Sequence, residues 1–238
     1  MNMKSYVEAC AGGDGARRTE EILLRIVPAP EAHARFVNTL SRLEYVGVRK
    51  MLKSRRAEAL DLDGLQHALD ETIHALRLKK MAVALAGRAP GAVDTYADAH
   101  TLAGGAGEAY LQGLDAAAAD AVADVPDDQR SEANYRLTSA AIEVRAQVFY
   151  PIYERCLRAH GIGHSVASIV RDEDRHLEEM AASLDERRFE PAFAVEEQLF
   201  GRFLDAVDVE LRAIESARRG GGAVHRPLDA AAGGVGER

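Results

Sequence analysis

The sequence predicts an all-α protein, and three observations carry that prediction. Alanine, the strongest helix former, supplies 43 of the 238 residues. No stretch is dominated by β-branched residues. Between the seven prolines, apolar positions recur at helical spacing. A hydrophobic share of 47% with 29% charged residues is ordinary globular composition, enough for one substantial domain. The net charge of −8 excludes a general nucleic-acid binder, which needs clustered Lys and Arg. No apolar run approaches the roughly 18 residues of a membrane-spanning helix. The opening MNMKSYVEACAGGDGARR lacks the apolar core of a signal peptide, so the expected location is the cytoplasm.

The punctuation sets the elements. Residues 1–30 are mixed in character and end in Val27-Pro28-Ala29-Pro30, which reads as an arm leading into a domain over 31–218. The stripe Phe36, Leu40, Leu43, Gly47, Met51 predicts a first long helix from about Ala32 to Arg55. Asp61-Leu62-Asp63 offers an N-cap for a second, stopped near Ala86 by Gly87 and Pro90. Residues 91–125 are rich in alanine and glycine and read as a long crossover connection holding one or two helices. Pro126-Asp127-Asp128 opens a third long helix to about Ala159, with a kink or interruption expected at Pro151. A fourth spans about Ser165 to Arg187. After Pro191, Phe193, Phe200, Phe203, Val207, Leu211 and Ile214 mark one side of a last helix. The tail 219–238 has no stripe and is expected to be disordered.

The informative feature is what interrupts these stripes. On the fourth helix the buried face reads Val166, Ile169, Glu173, His176, Met180, Leu184. On the second it reads His67, Glu71, His74, Leu78, Met81, Leu85. Glu44 lies one turn from Leu40 and from Gly47–Val48 on the first. Glu143 on the third has Ala140 and Ala146 three residues to either side. A bare carboxylate in a helical core costs several kcal/mol, of the order of a domain's whole stability. Four of them with imidazoles are tolerable if a cation binds them together. A Glu and a His three residues apart leave one helical face and can ligate one metal centre. That pair occurs twice, at Glu71/His74 and Glu173/His176, each following a lone core glutamate, Glu44 or Glu143. Carboxylate and imidazole donors without thiolate suit iron or manganese and disfavour copper(I) or a structural zinc.

In this pattern the chain resembles the ferritin-like di-iron and di-manganese carboxylate superfamily from about Ala32 to Arg187. Asp172-Glu173-Asp174-Arg175-His176 looks like the DExRH motif of bacterial di-iron monooxygenases. Asp70-Glu71-Thr72-Ile73-His74 departs from it, with isoleucine in the arginine place. Rubrerythrins are disfavoured because Cys10 and Cys156 form no CxxC, and storage ferritins because the chain is too long. The resemblance implies a four-helix bundle with a long crossover and additional flanking helices. It implies two iron ions, manganese or a mixed Mn/Fe pair being the alternatives. Glu44, Glu71 and His74 would hold one and Glu143, Glu173 and His176 the other, with Glu71 and Glu173 bridging. Asp70 and Asp172 would orient the ligating histidines. The implied activity is an oxidoreductase that activates dioxygen, an oxygenase or hydroxylase acting on a small organic molecule. A ferroxidase or metal-handling protein without an organic substrate is the alternative. An electron-donor protein is a partner such an activity allows, and the Phe-rich last helix can pack on a second copy, giving a homodimer, as easily as on its own bundle.

Other residues carry two readings. His67 is either a polar partner outside the ligand set or an extra ligand. Glu108 is either a further carboxylate for the metals or a solvated side chain. Tyr45, Tyr150 and Tyr153 either relay an electron or simply pack. His100 and His164 have no partner pattern and read as surface residues. The competing account of the whole pattern is a non-enzymatic helical protein whose carboxylates pair with Arg and Lys.

Overall fold

In the computed structural model, residues 3–54, 58, 60–87, 92–181 and 184–221 are described. They form eight α-helices and one short 3-10 turn, with no strand among them. These are α1 (Met3–Ala11), α2 (Asp14–Ile26), α3 (Pro30–Ser54), α4 (Leu62–Ala86), α5 (Gly104–Ala121), α6 (Asp127–Ala159), α7 (Ala167–Ala181) and α8 (Glu186–Gly221). The all-α class read from the sequence is therefore observed. No helix is long and apolar enough to cross a membrane among the described residues.

The helix ends follow local chemistry. Pro30 starts α3, where a missing N–H costs nothing. Asp61 caps α4 by accepting from the Gly64 N–H at 2.9 Å, and Gly87 at φ 62° ends it. Asp185 accepts from the Arg187 N–H at 3.1 Å where α8 begins.

Two antiparallel pairs make the centre. Along α3 and α4, Ser41 Oγ donates to the Ala75 carbonyl at 2.7 Å and Lys79 Nζ to Asn38 Oδ1 at 2.7 Å. Along α6 and α7, Gln147 Nε2 donates to the Val170 carbonyl at 3.4 Å, and Glu154 accepts from the Val166 N–H at 2.8 Å. The pairs face one another: Arg77 meets Ser168 between α4 and α7, and Lys50 meets Asn134 between α3 and α6. Residues 92–103 carry the chain along α3, and α5 carries it on to the opposite end. The first stretch lies over α3, where buried polar side chains meet its backbone. Asn38 Nδ2 donates to the Thr95 and His100 carbonyls, both at 2.8 Å, and Thr39 Oγ1 to the Leu102 carbonyl at 2.7 Å. Asn38, Thr39 and Ser41, all buried on α3, thus each have a partner.

Several boundaries differ from the sequence reading. Within the segment expected as an N-terminal arm, residues 3–26 form two helices, and α1 and α2 pack on α6, burying Cys10, Ile22, Leu23 and Ile26. Helix α6 runs through Pro151 without interruption, because Phe149, Tyr150, Ile152 and Tyr153 bury on both sides of it. The fourth long helix ends at Ala181 rather than Arg187, and the last begins before Pro191. Phe189, buried against Tyr6 at 4.9 Å between ring centroids, outweighs the proline there. Phe193, Phe200, Phe203, Val207 and Leu211 of α8 are buried within this chain, α5 being one of the helices packed on α8. Arg55 and Pro90 lie outside the described residues. So do positions 222–238, which hold most of the tail expected to be disordered.

A buried ion pair ties α6 to α8. Arg145 donates from Nε and Nη2 to the two Glu196 oxygens at 2.9 and 2.7 Å, and Tyr110 donates to Glu196 at 2.8 Å. Glu196 is fully buried. Glu196→Ala would strand a guanidinium and a hydroxyl in an apolar core, at a cost of about 3–5 kcal/mol. We expect the melting temperature to fall by roughly 10 °C. A change within 2 °C or so would contradict the pair's role.

His33 gives a pH test. It is buried, its Nε2 lies 2.6 Å from the Tyr153 hydroxyl, and its Nδ1 has no partner. Burial, helped by the nearby His164 and His160, pushes its pKa down to about 4. The unfolded chain therefore binds the proton first. Stability present above pH ~6.5 is lost as pH falls toward 4, by at most about 3 kcal/mol. Urea titrations of His33→Gln should show a shallower acid loss over that window than the parent; equal slopes would contradict it.

Candidate metal centre

Four helices deliver ionisable side chains to one point in the core. Helix α3 brings Glu44, α4 brings His67, Glu71 and His74, α6 brings Glu143, and α7 brings Glu173 and His176. On α4 the three stand at i, i+4 and i+7, one face of the helix. All six residues expected as ligands converge. Their ligand atoms form two groups, each within 4.8 Å: Glu44, Glu71, His74, Glu173 and His67, Glu71, Glu143, His176. Glu71 belongs to both. The division differs from the expected one, since Glu173 groups with Glu44 and His74 while still reaching His176 Nδ1 at 3.2 Å. His67, expected mainly as an outer partner, stands inside the second group.

The centre is dry. His74 and His176 are fully buried, and His67, Glu143 and Glu173 expose 3% or less. Glu44 keeps some accessible surface, and it lines the cavity described below. Among the described residues, no Lys or Arg pairs with any of the four glutamates. That removes the reading in which these carboxylates are neutralised by Arg and Lys.

Each histidine turns one nitrogen inward and gives the other to an outside partner. His74 Nδ1 faces Glu173 at 3.2 Å while Nε2 meets Asp172 at 3.1 Å. His176 Nδ1 faces Glu173 and Glu71 at 3.2 and 3.5 Å, and its Nε2 lies 3.5 Å from Asp70. The aspartates thus serve across the helix pair: each stands on one helix and meets the histidine of the other. Arg175 pairs with Asp70, and Arg77 lies 3.6 Å from Asp172. The guanidinium that Ile73 does not supply comes instead from Arg77, one turn further on. His67 Nε2 faces Glu143 and Glu71 at 3.2 and 3.4 Å, and Nδ1 meets the Tyr135 hydroxyl at 3.1 Å.

Without metal the core distributes protons unevenly. Burial, then the charge of Glu71, holds the Glu44 carboxyl well above the usual carboxylate range. Burial, then the charge of Glu173, does the same to Glu143. Glu173 goes the other way: against burial, hydrogen bonds to Glu143, His176 and His74 hold it below its usual range. His74 is pushed up to about 10, since Glu173, Glu44 and Glu71 outweigh its burial. His176 rises too, through Glu173 and Glu71 against its burial.

This core fits a metal. His74 Nδ1, which faces Glu173, and Glu143 Oε2 are buried and without a well-formed hydrogen bond. Carboxylate and imidazole donors with no sulfur ligand form a set that divalent first-row ions accept.

The remaining candidates separate. The Tyr150 hydroxyl donates to Glu44 Oε1. Tyr153 bonds His33, and Tyr45 is exposed and stacks on Tyr96. Glu108 meets Arg42 rather than the centre. His100 accepts from the Thr95 N–H within the crossover.

A cavity of about 190 Å³ opens onto the centre. Glu44, His67, Glu71, Glu143 and Glu173 form its floor, and its walls are largely apolar, with Leu43, Ile142, Phe149, Phe200 and Phe203 among them. Helices α5 and α8, beyond the four that carry the ligand residues, supply much of the wall. Gly47, one turn from Glu44, also lines it, and a Cβ there would touch nothing within 4 Å. The Arg145–Glu196 pair closes one side with its charges mutually satisfied. Sequence reasoning missed Tyr135, Arg77 and this ion pair. A glutamate three residues after Phe193 and four before Phe200 was the available signal for Glu196. Compared with protein-family models, curated proteins and solved structures, the chain has no match.

The proton distribution yields a test on purified metal-free protein. Glutamine resembles the protonated acid, so Glu44→Gln should change the metal-free melting temperature little. Glu173→Gln removes the anion facing His74 and His176 and should lower it by several degrees. Both should reduce the rise that a divalent ion produces, which is about 4 kcal/mol for the parent at a thousandfold excess over Kd. Equal metal-free effects of the two changes would contradict this charge pattern.

Proposed function

We propose that this protein is a ferritin-like non-haem di-iron oxidoreductase that activates dioxygen toward a small organic substrate. The observation that carries the reading is the apolar cavity standing directly on the carboxylate–histidine centre. A protein that only oxidises or hands on ferrous ions needs a polar path for a cation; most of this chamber's surface is apolar, from side chains such as Leu43, Ile142, Phe149, Phe200 and Phe203, with Lys50, Gln112, Asp115, Thr138 and Ser139 also lining it.

Glu44, His74 and Glu173 would hold one ion and Glu143 and His176 the other, with Glu71 common to both groups. Two reduced ions together supply two electrons to dioxygen, the redox step that protein side chains do not provide. The chain's own contribution is placement and exclusion. Asp172 and Asp70 fix the histidine ring orientations, and ligands held in this way keep their geometry through turnover. The Tyr150 hydroxyl holds Glu44 at the cavity floor. The apolar wall keeps bulk water from the reacting centre and admits a neutral molecule. An electron-donor protein would return the ions to the reduced state between turnovers.

The test uses Gly47. Glycine inside a helix costs about 1 kcal/mol relative to alanine, and here it leaves the chamber open. Gly47→Leu should fill that space while folding as well as the parent or better. We expect unchanged ferrous binding but at least a tenfold loss of oxygen consumption coupled to small apolar compounds. Oxygen uptake driven by ferrous iron alone, indifferent both to added compounds and to Gly47→Leu, would favour the ferroxidase reading instead.

A further inference from the structure

The three inward-facing histidines are shared unequally. One group offers three carboxylates and a single imidazole, from Glu44, Glu71, Glu173 and His74. The other offers two of each, from Glu71, Glu143, His67 and His176. His67 makes the difference. It is almost fully buried, its ring lies 4.0 Å from that of His176, and Nε2 stands 3.2 Å from Glu143 Oε1 and 3.4 Å from Glu71 Oε1. In the tautomer whose Nδ1–H donates to the Tyr135 oxygen, the Nε2 lone pair of the neutral ring points to the same place as the Glu143 and Glu71 oxygens. The partner also differs in kind. His74 and His176 are backed by carboxylates, Asp172 and Asp70, and His67 by a neutral phenol.

We propose that His67 is a metal ligand and that it makes the two metal positions chemically unequal. The position of His67, Glu71, Glu143 and His176 is nitrogen-rich and selects a later first-row ion such as cobalt or zinc. The position of Glu44, Glu71, His74 and Glu173 is oxygen-rich and accepts manganese. Imidazole favours the later ions of the divalent series, whereas carboxylate discriminates less and suits manganese. Shared occupancy follows: supplied with one equivalent each of manganese and zinc, the protein should take up both, in different positions. The inference rests on the metal-binding part of the proposed function and is independent of the oxygen chemistry.

Titration of the metal-free full chain with cobalt(II), followed by its visible absorption, tests this. The parent should bind two equivalents in resolved steps whose dissociation constants differ by about tenfold or more. His67→Gln should weaken the first step by at least that factor and bring the two steps together. His74→Gln should weaken the second step and leave the first in place. Tyr135→Phe keeps the imidazole but removes its support, and should shift the first step alone, by less than His67→Gln does. Circular dichroism checks that each variant is folded. Should His67→Gln not fold, Tyr135→Phe decides by itself. A single step for both equivalents in the parent would overturn the proposal, as would first steps in the folded His67→Gln and Tyr135→Phe variants equal to the parent's. No cobalt uptake at all would overturn it together with the metal centre. Two resolved steps in a protein that consumes no oxygen would support the inference and count against only the proposed reaction.

Discussion

Everything in this fold is arranged around one constraint: four carboxylates and three imidazoles crowd one core, all of them buried except Glu44, which is partly exposed. Such a group is tolerable when each charge finds a partner, a proton or a metal. The protein uses the first two devices visibly. Burial and neighbouring carboxylates raise the proton affinity of Glu44 and Glu143, hydrogen bonds with Glu143, His176 and His74 lower that of Glu173, and two aspartates backed by arginines hold the outer ring nitrogens. The third device accounts for what these leave over, two buried ligand atoms without a well-formed hydrogen bond.

The surrounding helices meet that constraint from outside. The crossover lies on α3 and satisfies Asn38 and Thr39, which fixes the helix that carries Glu44. Its start also depends on small residues: Gly104 sits where a Cβ would collide with the Thr101 side chain. Helices α5 and α8 pack across the centre and leave a chamber at its edge, with Arg145 and Glu196 neutralising one another at the rim. Neither helix carries a residue of the ligand groups. Their position is what gives the centre an apolar neighbour rather than solvent.

Much of this was legible in the sequence because burial and helical periodicity act on the same residues. Glu71, His74, Glu173 and His176 stood out as charges inside apolar stripes, and the aspartates preceding each glutamate marked their partners. Other features were harder to read for physical reasons. Pro151 and Pro191 looked like breaks, but large buried side chains on either side outweigh one missing hydrogen bond. The first thirty residues looked like an arm because the stripe of α2, from Ala16 through Thr19 to Ile22, Leu23 and Ile26, is short and interrupted by charge. His67 was ambiguous since its spacing to Glu71 places it on the right face but does not say which way its ring turns. Arg77 and Tyr135 act across helices, and contacts of that kind have no local signature. The separation of the ligand residues into an oxygen-rich and a nitrogen-rich group likewise needed the positions of all four helices.

The most direct measurement is metal content after equilibrium. Metal-free protein dialysed anaerobically against ferrous iron, freed of unbound metal and analysed for iron, should retain two ions per chain. A protein carrying Glu71→Ala, which removes the one ligand common to both groups, should retain far less. Iron retained at a small fraction of one ion per chain by folded parent protein, with the Glu71 variant indistinguishable from it, would contradict the account.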